Sequence, residues 1–294
     1  MMDQAEGLRK MIQQTEARPA ARVITVTSGK GGVGKSSISI NLAIQLSRLG
    51  KRVVVFDADF GLANIEVMLG IRPRFNMADL MFRGKELKDI VTPGPENISF
   101  ISGGSGIQEL ARMNRDQVMY LTRKLAELDA YADVIIIDTG AGISDNVLEF
   151  VVSSSEVLLV ATPEPTSITD AYALLKALNR KKEFSKTNTT IKMIANRVRS
   201  REEGEHLYEK MSIVVQKFLN IPLEYLGAVP MDEQIAKAVM RQKPISVTHP
   251  EAPSTKAIKD ITDKLMKIEK EQERRGISQF FSNLIRSKMS KANK

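Results

Sequence analysis

Cysteine and tryptophan are absent from the 294-residue chain, and only two histidines occur. Without cysteine the protein cannot form disulfides, thiolate metal sites, iron–sulfur clusters or a cysteine nucleophile. The two histidines, His206 and His249, lie far apart in the sequence, and we expect both to be surface residues rather than metal ligands. The metal chemistry that remains is magnesium bound together with a nucleotide.

Long apolar runs are also missing. No stretch approaches the roughly 18 apolar residues that a membrane-spanning helix needs, and Met1–Gln4 opens no signal-peptide pattern. A net charge of +8 indicates an acidic partner such as a membrane surface, a nucleic acid or a nucleotide. Between Lys256 and Lys294 eleven basic residues stand against five acidic ones, so most of the excess lies near the carboxyl terminus. We expect a cytoplasmic protein.

Apolar segments alternate with helical patterns along the chain. Val53–Phe56 and Val134–Ile137 are apolar at every position, which is typical of strands buried on both faces of a parallel sheet. The alternation predicts an α/β fold with a doubly wound, mostly parallel sheet. The predicted strands are Val23–Thr27, Arg52–Asp57, Ile98–Ile101, Val134–Asp138, Val157–Thr162, Ile191–Asn196 and Leu223–Val229, and the predicted helices are Ser36–Leu49, Arg115–Leu128, Ser144–Ser153, Ser167–Lys181, Gly204–Leu219 and Asp232–Arg241.

The segment Gly29–Ser36 satisfies the pattern G-x-x-x-x-G-K-[ST] and joins the first predicted strand to the first long helix. This is the context of a phosphate-binding P-loop, in which glycines let successive backbone N–H groups point into one concavity. Lys35 is expected to reach the β- and γ-phosphates, and the Ser36 hydroxyl to hold magnesium. A second lysine, Lys30, follows the first glycine, although an ordinary P-loop does not need it.

Three aspartates follow apolar strands. Asp57 and Asp59 close the second strand, and Asp138 closes Val134–Ile137. Ligands of open α/β sheets bind beyond the carboxyl ends of the strands, so we expect Asp138 near the metal. Of Asp57 and Asp59, we expect one to face the metal and the other an attacking water. Each aspartate alone could instead be a turn residue or a helix cap.

The segments Lys30–Ser36, Asp57–Asn64 and Asp138–Gly142 resemble the deviant Walker A, switch I and switch II motifs of the MinD/ParA class of P-loop ATPases. The resemblance covers about residues 21 to 250. It implies a SIMIBI-type fold, ATP or ADP with Mg²⁺ as ligands, and a homodimer formed with ATP. It further implies that Lys30 reaches into the partner's site and that Asp59 orients water. Dimerisation would then gate hydrolysis, much as an arginine finger does.

The same resemblance implies an adenine site at Asn196, Pro230 and Asp232. An asparagine amide can both donate to and accept from the N6/N7 edge of adenine; an ordinary turn residue is the alternative. The full set of expected nucleotide-binding residues is Gly29, Lys30, Gly31, Gly32, Val33, Gly34, Lys35, Ser36, Ser37, Asn196, Pro230 and Asp232.

The carboxyl-terminal segment 277–289 is amphipathic when drawn as a helix. Its apolar residues follow the spacing i, i+3, i+4, i+7, i+8, which suits an interfacial helix on anionic lipid. Packing on the protein's own core is the alternative. The residues expected to enter the membrane are Ile277, Phe280, Phe281, Leu284 and Ile285.

The leader, residues 1–20, resembles the amino-terminal motif of the flagellar branch of this family. That resemblance implies docking on a signal-recognition-type flagellar GTPase and contact with flagellar switch or C-ring proteins. Gln4 would help to order the GTPase's attacking water, and Asp3, Leu8 and Arg9 complete the motif. A frayed terminus is the alternative.

The predicted organisation is a leader at 1–20, an ATPase domain at 21–270 and a membrane-targeting helix at 271–294. The function implied is a membrane-associating ATPase at the inner face of the cell membrane that regulates flagellar number or placement, with no specific nucleic acid bound. A ParA-like DNA-partitioning ATPase, a division-site-positioning ATPase and a scaffold with vestigial hydrolysis are the alternatives.

Overall fold

The computed structural model describes residues 20–59, 64–104, 115–186, 188–267 and 276–292. Its sheet has eight strands in the order β3-β4-β2-β5-β1-β6-β7-β8. All neighbouring pairs are parallel except β3 with β4 at one edge. The strands are β1 Arg22–Ser28, β2 Val53–Ala58, β3 Thr92–Pro93, β4 Ser99–Ser102, β5 Val134–Ala141, β6 Glu156–Ala161, β7 Thr190–Val198 and β8 Leu223–Pro230. The doubly wound fold and all seven expected strands are thus confirmed, and among the strands of the described residues only β3 was not anticipated.

Helices cover both faces of the sheet, as the apolar strands require. The helices in the described ranges are α1 Lys35–Arg48, α2 Asn64–Leu69, α3 Met77–Phe82, α4 Leu87–Ile90, α5 Arg115–Ala126, α6 Leu128–Tyr131, α7 Asp145–Ser153, α8 Pro165–Asn179, α9 Arg201–Leu219, α10 Glu233–Met240, α11 Ile245–Thr248, α12 Pro253–Lys267 and α13 Gly276–Ala292. Helices α1 and α12 pack together on one face, and α5, α13, α7, α8 and α9 lie side by side on the other.

Sequence reasoning missed several helices, the longest being α12. Its buried residues Ile258, Ile261 and Leu265 follow helical spacing and pack against the face that α1 covers. Three short helices, α2 to α4, were also missed because segments of four to six residues carry too little periodicity to be recognised.

A buried ionic cluster joins the amino-terminal edge of the sheet to the end of α12. Arg22 donates to Glu156 at 2.8 and 2.9 Å and to the Leu265 carbonyl at 3.1 Å, and Lys192 binds Glu156 at 2.5 Å. Burial alone would raise the pKa of Glu156, but the two cations hold it below its ordinary value. The end of α12 is therefore fixed to the central strands.

The carboxyl-terminal helix α13 forms as expected and packs into the same apolar cluster as β2 and β5. Ile277, Phe280, Phe281 and Leu284 are at most 2% exposed, and the Phe281 ring meets Phe56 edge-on at 5.8 Å. The side chain of Ile285 lies outside the described part. In this conformation the apolar face is therefore covered by the protein itself.

The start of α13 is held by one carboxylate. Asp129 Oδ1 accepts from Ile277 N at 3.2 Å and from Ala21 N at 3.0 Å. Gly276 has φ +63, and a Cβ there would lie 2.9 Å from the Cβ of Ala20. Glycine is thus required where the tail meets the first strand.

Candidate nucleotide site

The P-loop lies between β1 and α1, at the carboxyl edge of the sheet. Gly32 and Gly34 have φ values of +76 and +93, a region that glycine occupies without strain. Gly29 has no space for a side chain, because a Cβ would lie 2.1 Å from the backbone carbon of Asp170 in α8. These glycines allow the loop to curl and to lie directly against α8. The loop therefore has the backbone geometry that a phosphate cradle needs.

Lys35 opens α1 and is almost fully buried. Its Nζ donates to Asp138 Oδ1 at 3.3 Å, and Ser39 Oγ, one turn later, donates to the same oxygen at 2.8 Å. Ser36 and Ser37 are half-buried in the first turn of the helix. The structure thus brings the expected phosphate-binding lysine to the expected metal-binding aspartate.

Asp57 and Asp138 stand directly opposite each other on the neighbouring strands β2 and β5. Asp57 accepts from Asp59 N at 3.1 Å and from Ile65 N at 3.2 Å. Burial, reinforced by the negative charge of Asp138, raises the pKa of Asp57 to about 7. Lys35 pairs with Asp138 but not with Asp57, so a further cation would stabilise the ionised form of the two neighbouring carboxylates.

We expect Asp57→Asn to flatten the pH dependence of stability. The raised pKa of about 7 means that the folded parent gains stability by taking up a proton, and that this gain is lost as pH rises from about 4 to about 7. The difference in the free energy of unfolding, variant minus parent, should therefore rise by on the order of 3 kcal/mol as the pH increases from 5 to 8. Urea unfolding at the two pH values measures the difference, and parallel pH profiles would contradict it.

Asp59 lies beside the end of β5. Its Oδ2 accepts from Asn64 Nδ2 at 3.0 Å, and its Oδ1 would be 3.5 Å from a Cβ added at Gly140. The carboxylate therefore faces the segment after Asp138. Residues 60–63 of the predicted switch I lie outside the described residues.

Lys30 is held within its own chain. Its Nζ donates to Glu164 Oε2 at 2.7 Å and to Thr166 Oγ1 at 2.7 Å. The hydrogen bond from Lys30, together with the lysine's charge, holds the pKa of Glu164 below its ordinary value. Sequence reasoning missed Glu164 and Thr166, although their position directly after β6 places them at the same edge of the sheet as the P-loop. The lysine side chain is one-third exposed and so faces solvent as well as its two partners.

Asn196 is buried at the end of β7, against the P-loop. Its Nδ2 donates to the Val33 carbonyl at 2.6 Å, while its Oδ1 is buried without a hydrogen-bond partner. Nδ2 would also lie 2.4 Å from a Cβ at Gly34. An unsatisfied amide oxygen beside the loop fits a donor such as an adenine amino group.

Asp232 caps α10 and braces it against α12. One oxygen accepts from Gln234 N at 2.9 Å, and the other accepts from Ser254 Oγ at 2.8 Å. Although burial opposes them, these hydrogen bonds lower the pKa of Asp232. Pro230 ends β8 immediately before this turn. Asp232 therefore shapes the loop around the expected adenine site through bonds within the chain.

The residues present fit a magnesium ion bound with a nucleotide. Asp138 Oδ2 is buried and has no hydrogen-bond partner, and Asp57 lies opposite it. Within the described ranges no three His, Asp or Glu side chains converge as a protein-only metal site. Mg²⁺ commonly binds one or two carboxylates together with substrate phosphates and waters. Ser36, Asp57 and Asp138 would hold such an ion.

The leader residues Asp3, Gln4, Leu8 and Arg9 lie outside the described residues. In the part of the chain that is described, no helix is both long and apolar enough to cross a bilayer. The residues of the predicted nucleotide site and the backbone of α13 lie within the described ranges.

Comparison with known proteins identifies the family of this chain. A family profile described as "ParA: NUBPL iron-transfer P-loop NTPase" matches residues 20–266. The antiactivator FleN of Pseudomonas aeruginosa is 39% identical over 254 residues, covering 86% of this chain and 89% of FleN. The flagellum site-determining protein YlxH of Helicobacter pylori is 32% identical over 270 residues, covering 90% of each chain.

The fold of the chain is also similar to that of a solved structure. The septum site-determining protein MinD of Pyrococcus horikoshii, complexed with Mg-ADP, superposes with a TM-score of 0.64 and 25% identity, covering 85% of this chain and 98% of that one. Together with the matched profile and relatives, this shows that the chain belongs to the ParA/MinD family of P-loop NTPases, which implies ATPase activity.

Proposed function

We propose that this protein is a magnesium-dependent ATPase that dimerises with ATP, associates with the inner face of the cell membrane and regulates flagellar number or placement. The proposal of a dimer rests on the position of Lys30, whose ammonium lies beside the P-loop at the protein surface. A partly exposed pair such as Lys30–Glu164 contributes little stability. Lys30 can therefore leave it for the phosphates of a partner subunit at small cost.

Hydrolysis uses the chain's own residues in distinct roles. The loop amides and Lys35 would bind the phosphates, Ser36, Asp57 and Asp138 would hold Mg²⁺, and Asp59 would orient the attacking water. The metal supplies charge neutralisation on the β- and γ-phosphates when bound. Lys30 would add the last positive charge only in the dimer, so that one subunit alone is a slow enzyme.

The flagellar role rests on the relatives named above, an antiactivator and a flagellum site-determining protein. Flagellar switch or C-ring proteins and a signal-recognition-type flagellar GTPase are the partners we propose. The leader would activate that GTPase through Gln4, with Asp3, Leu8 and Arg9 contributing to docking.

A peptide of residues 1–20 tests the leader. We expect it to increase GTP hydrolysis by a flagellar signal-recognition-type GTPase at least about tenfold, because a glutamine that positions water acts on the chemical step. The same peptide carrying Gln4→Ala should dock but fail to stimulate. Equal stimulation by both peptides would refute the role of Gln4, and stimulation by neither would remove the GTPase from the proposal.

Membrane association is proposed for the tail because α13 carries an apolar face on one side. Its apolar face is covered in the described conformation, so membrane binding requires α13 to leave its groove. The helix is short and binds weakly alone, and a dimer presents two copies at once. ATP would thereby control how long the protein stays on the membrane.

A further inference from the structure

Ser39 is a buried hydroxyl that the expected roles of the P-loop do not include. It lies in α1, one turn after Lys35, and has no exposed surface. Its Oγ is 2.8 Å from Asp138 Oδ1 and 3.2 Å from the Lys35 carbonyl. A hydroxyl has one proton to donate, and the nearer, charged carboxylate is the stronger acceptor. Ser39 is therefore bonded to Asp138.

The two oxygens of Asp138 have different surroundings. Oδ1 accepts from both Ser39 and Lys35, whereas Oδ2 is buried and has no hydrogen-bond partner. Lys35 binds phosphates when a nucleotide is present, which withdraws its ammonium from Oδ1. Ser39 does not have to move, because it stays on α1 with its Oγ already 2.8 Å from Asp138 Oδ1.

We infer that Ser39 is a positioning residue that keeps Asp138 Oδ2 directed at the magnesium site after Lys35 has turned to the phosphates. This inference rests on the proposed function. Without the hydroxyl, Asp138 would lose its remaining donor at the moment when the metal needs it. The carboxylate would then be free to rotate, and the metal would lose a preorganised ligand.

Magnesium titration separates this role from a general packing role. We expect Ser39→Ala to raise the Mg²⁺ concentration that half-saturates the metal-dependent tightening of a fluorescent ATP analogue by about tenfold, the effect typical of a lost partner of a metal ligand. Affinity for the analogue in EDTA should stay within about twofold of the parent. Ser39→Thr, which retains the hydroxyl, should restore the parent's Mg²⁺ dependence.

Two results would overturn the inference. One is a Ser39→Ala variant whose Mg²⁺ half-saturation matches that of the parent. The other is an equal loss of affinity with Mg²⁺ and in EDTA, which would indicate disturbed packing of the P-loop helix. A parent protein that shows no Mg²⁺ dependence would instead count against the proposed function, so the two failures are distinguishable.

Discussion

Replacing Lys30 with methionine is expected to slow ATP hydrolysis at least about a hundredfold and to change ATP affinity only a few-fold. The phosphate cradle and Lys35 remain, so binding within one subunit persists. What is lost is a charge that acts on the transition state in the dimer, and the comparable arginine finger contributes roughly 10³ to 10⁵ in rate. Steady-state hydrolysis and nucleotide titration of the same preparation measure the two effects separately.

Mixing two inactive variants reveals in which subunit the lysine acts. In a dimer of Lys30→Met with Asp59→Ala, the first subunit's site keeps Asp59 and receives Lys30 from the second subunit. Equal mixing makes about half of the dimers mixed, each with one competent site, so about a quarter of the parent activity should return. A mixture that stays inactive would mean that Lys30 acts in the site of its own subunit, and it would refute the trans mechanism.

Glu164→Gln is the matched control, because it retains Lys30 and removes its intrachain partner. The pair is half exposed, with side-chain exposures of 33% and 54%, and such pairs contribute little. We therefore expect hydrolysis within about fivefold of the parent. A loss as large as that of Lys30→Met would mean that Glu164 itself belongs to the catalytic machinery.

The second large effect concerns the docked tail. Phe281→Ala should lower the free energy of unfolding by about 3 to 5 kcal/mol, the cost of truncating a fully buried phenylalanine. Phe281 has no exposed surface and packs edge-on against Phe56 and Phe280. Phe218→Ala on α9 is the matched control, since that ring is 64% exposed and should lose less than about 1 kcal/mol.

Liposome sedimentation of the same chains tests the membrane role. Phe281→Ala should weaken ATP-dependent binding to anionic vesicles, because the ring is also part of the inserting face. Asp129→Ala leaves that face intact but removes the acceptor that holds the start of α13, so it should raise binding in the absence of ATP. Unchanged binding in both variants would refute the tail as the anchor. A shift of nonspecific DNA with no vesicle binding would favour a partitioning ATPase.

Local sequence determines much of this fold. The apolar strands, the P-loop and the strand-end aspartates were predictable because each depends on neighbouring residues and on the rule that parallel strands end at one edge. The pairing of Lys30 with Glu164 could not be read in this way, because 134 positions separate the two residues and no periodicity links them. Ser39 was missed for a related reason, since a serine inside a helix carries no signal of its own.

The tail shows a different limit. A helix that packs on its own core and a helix that lies on a lipid surface need the same apolar stripe. The spacing of Ile277, Phe280, Phe281 and Leu284 therefore predicted the helix and its buried face but not what would cover that face. In the structure this face is covered by helices α5 and α7, because α13 packs in the groove between them.

The anchorage of α12 by Arg22 sets how the protein can stand on a membrane. Eight residues separate Lys267 from Gly276, and so short a chain reaches at most about 30 Å. Because the end of α12 stays bonded to β1 at the amino-terminal edge of the sheet, an inserted tail would draw that edge toward the bilayer. The P-loop lies at the opposite edge and would face the cytoplasm, open to nucleotide exchange while the protein is tethered.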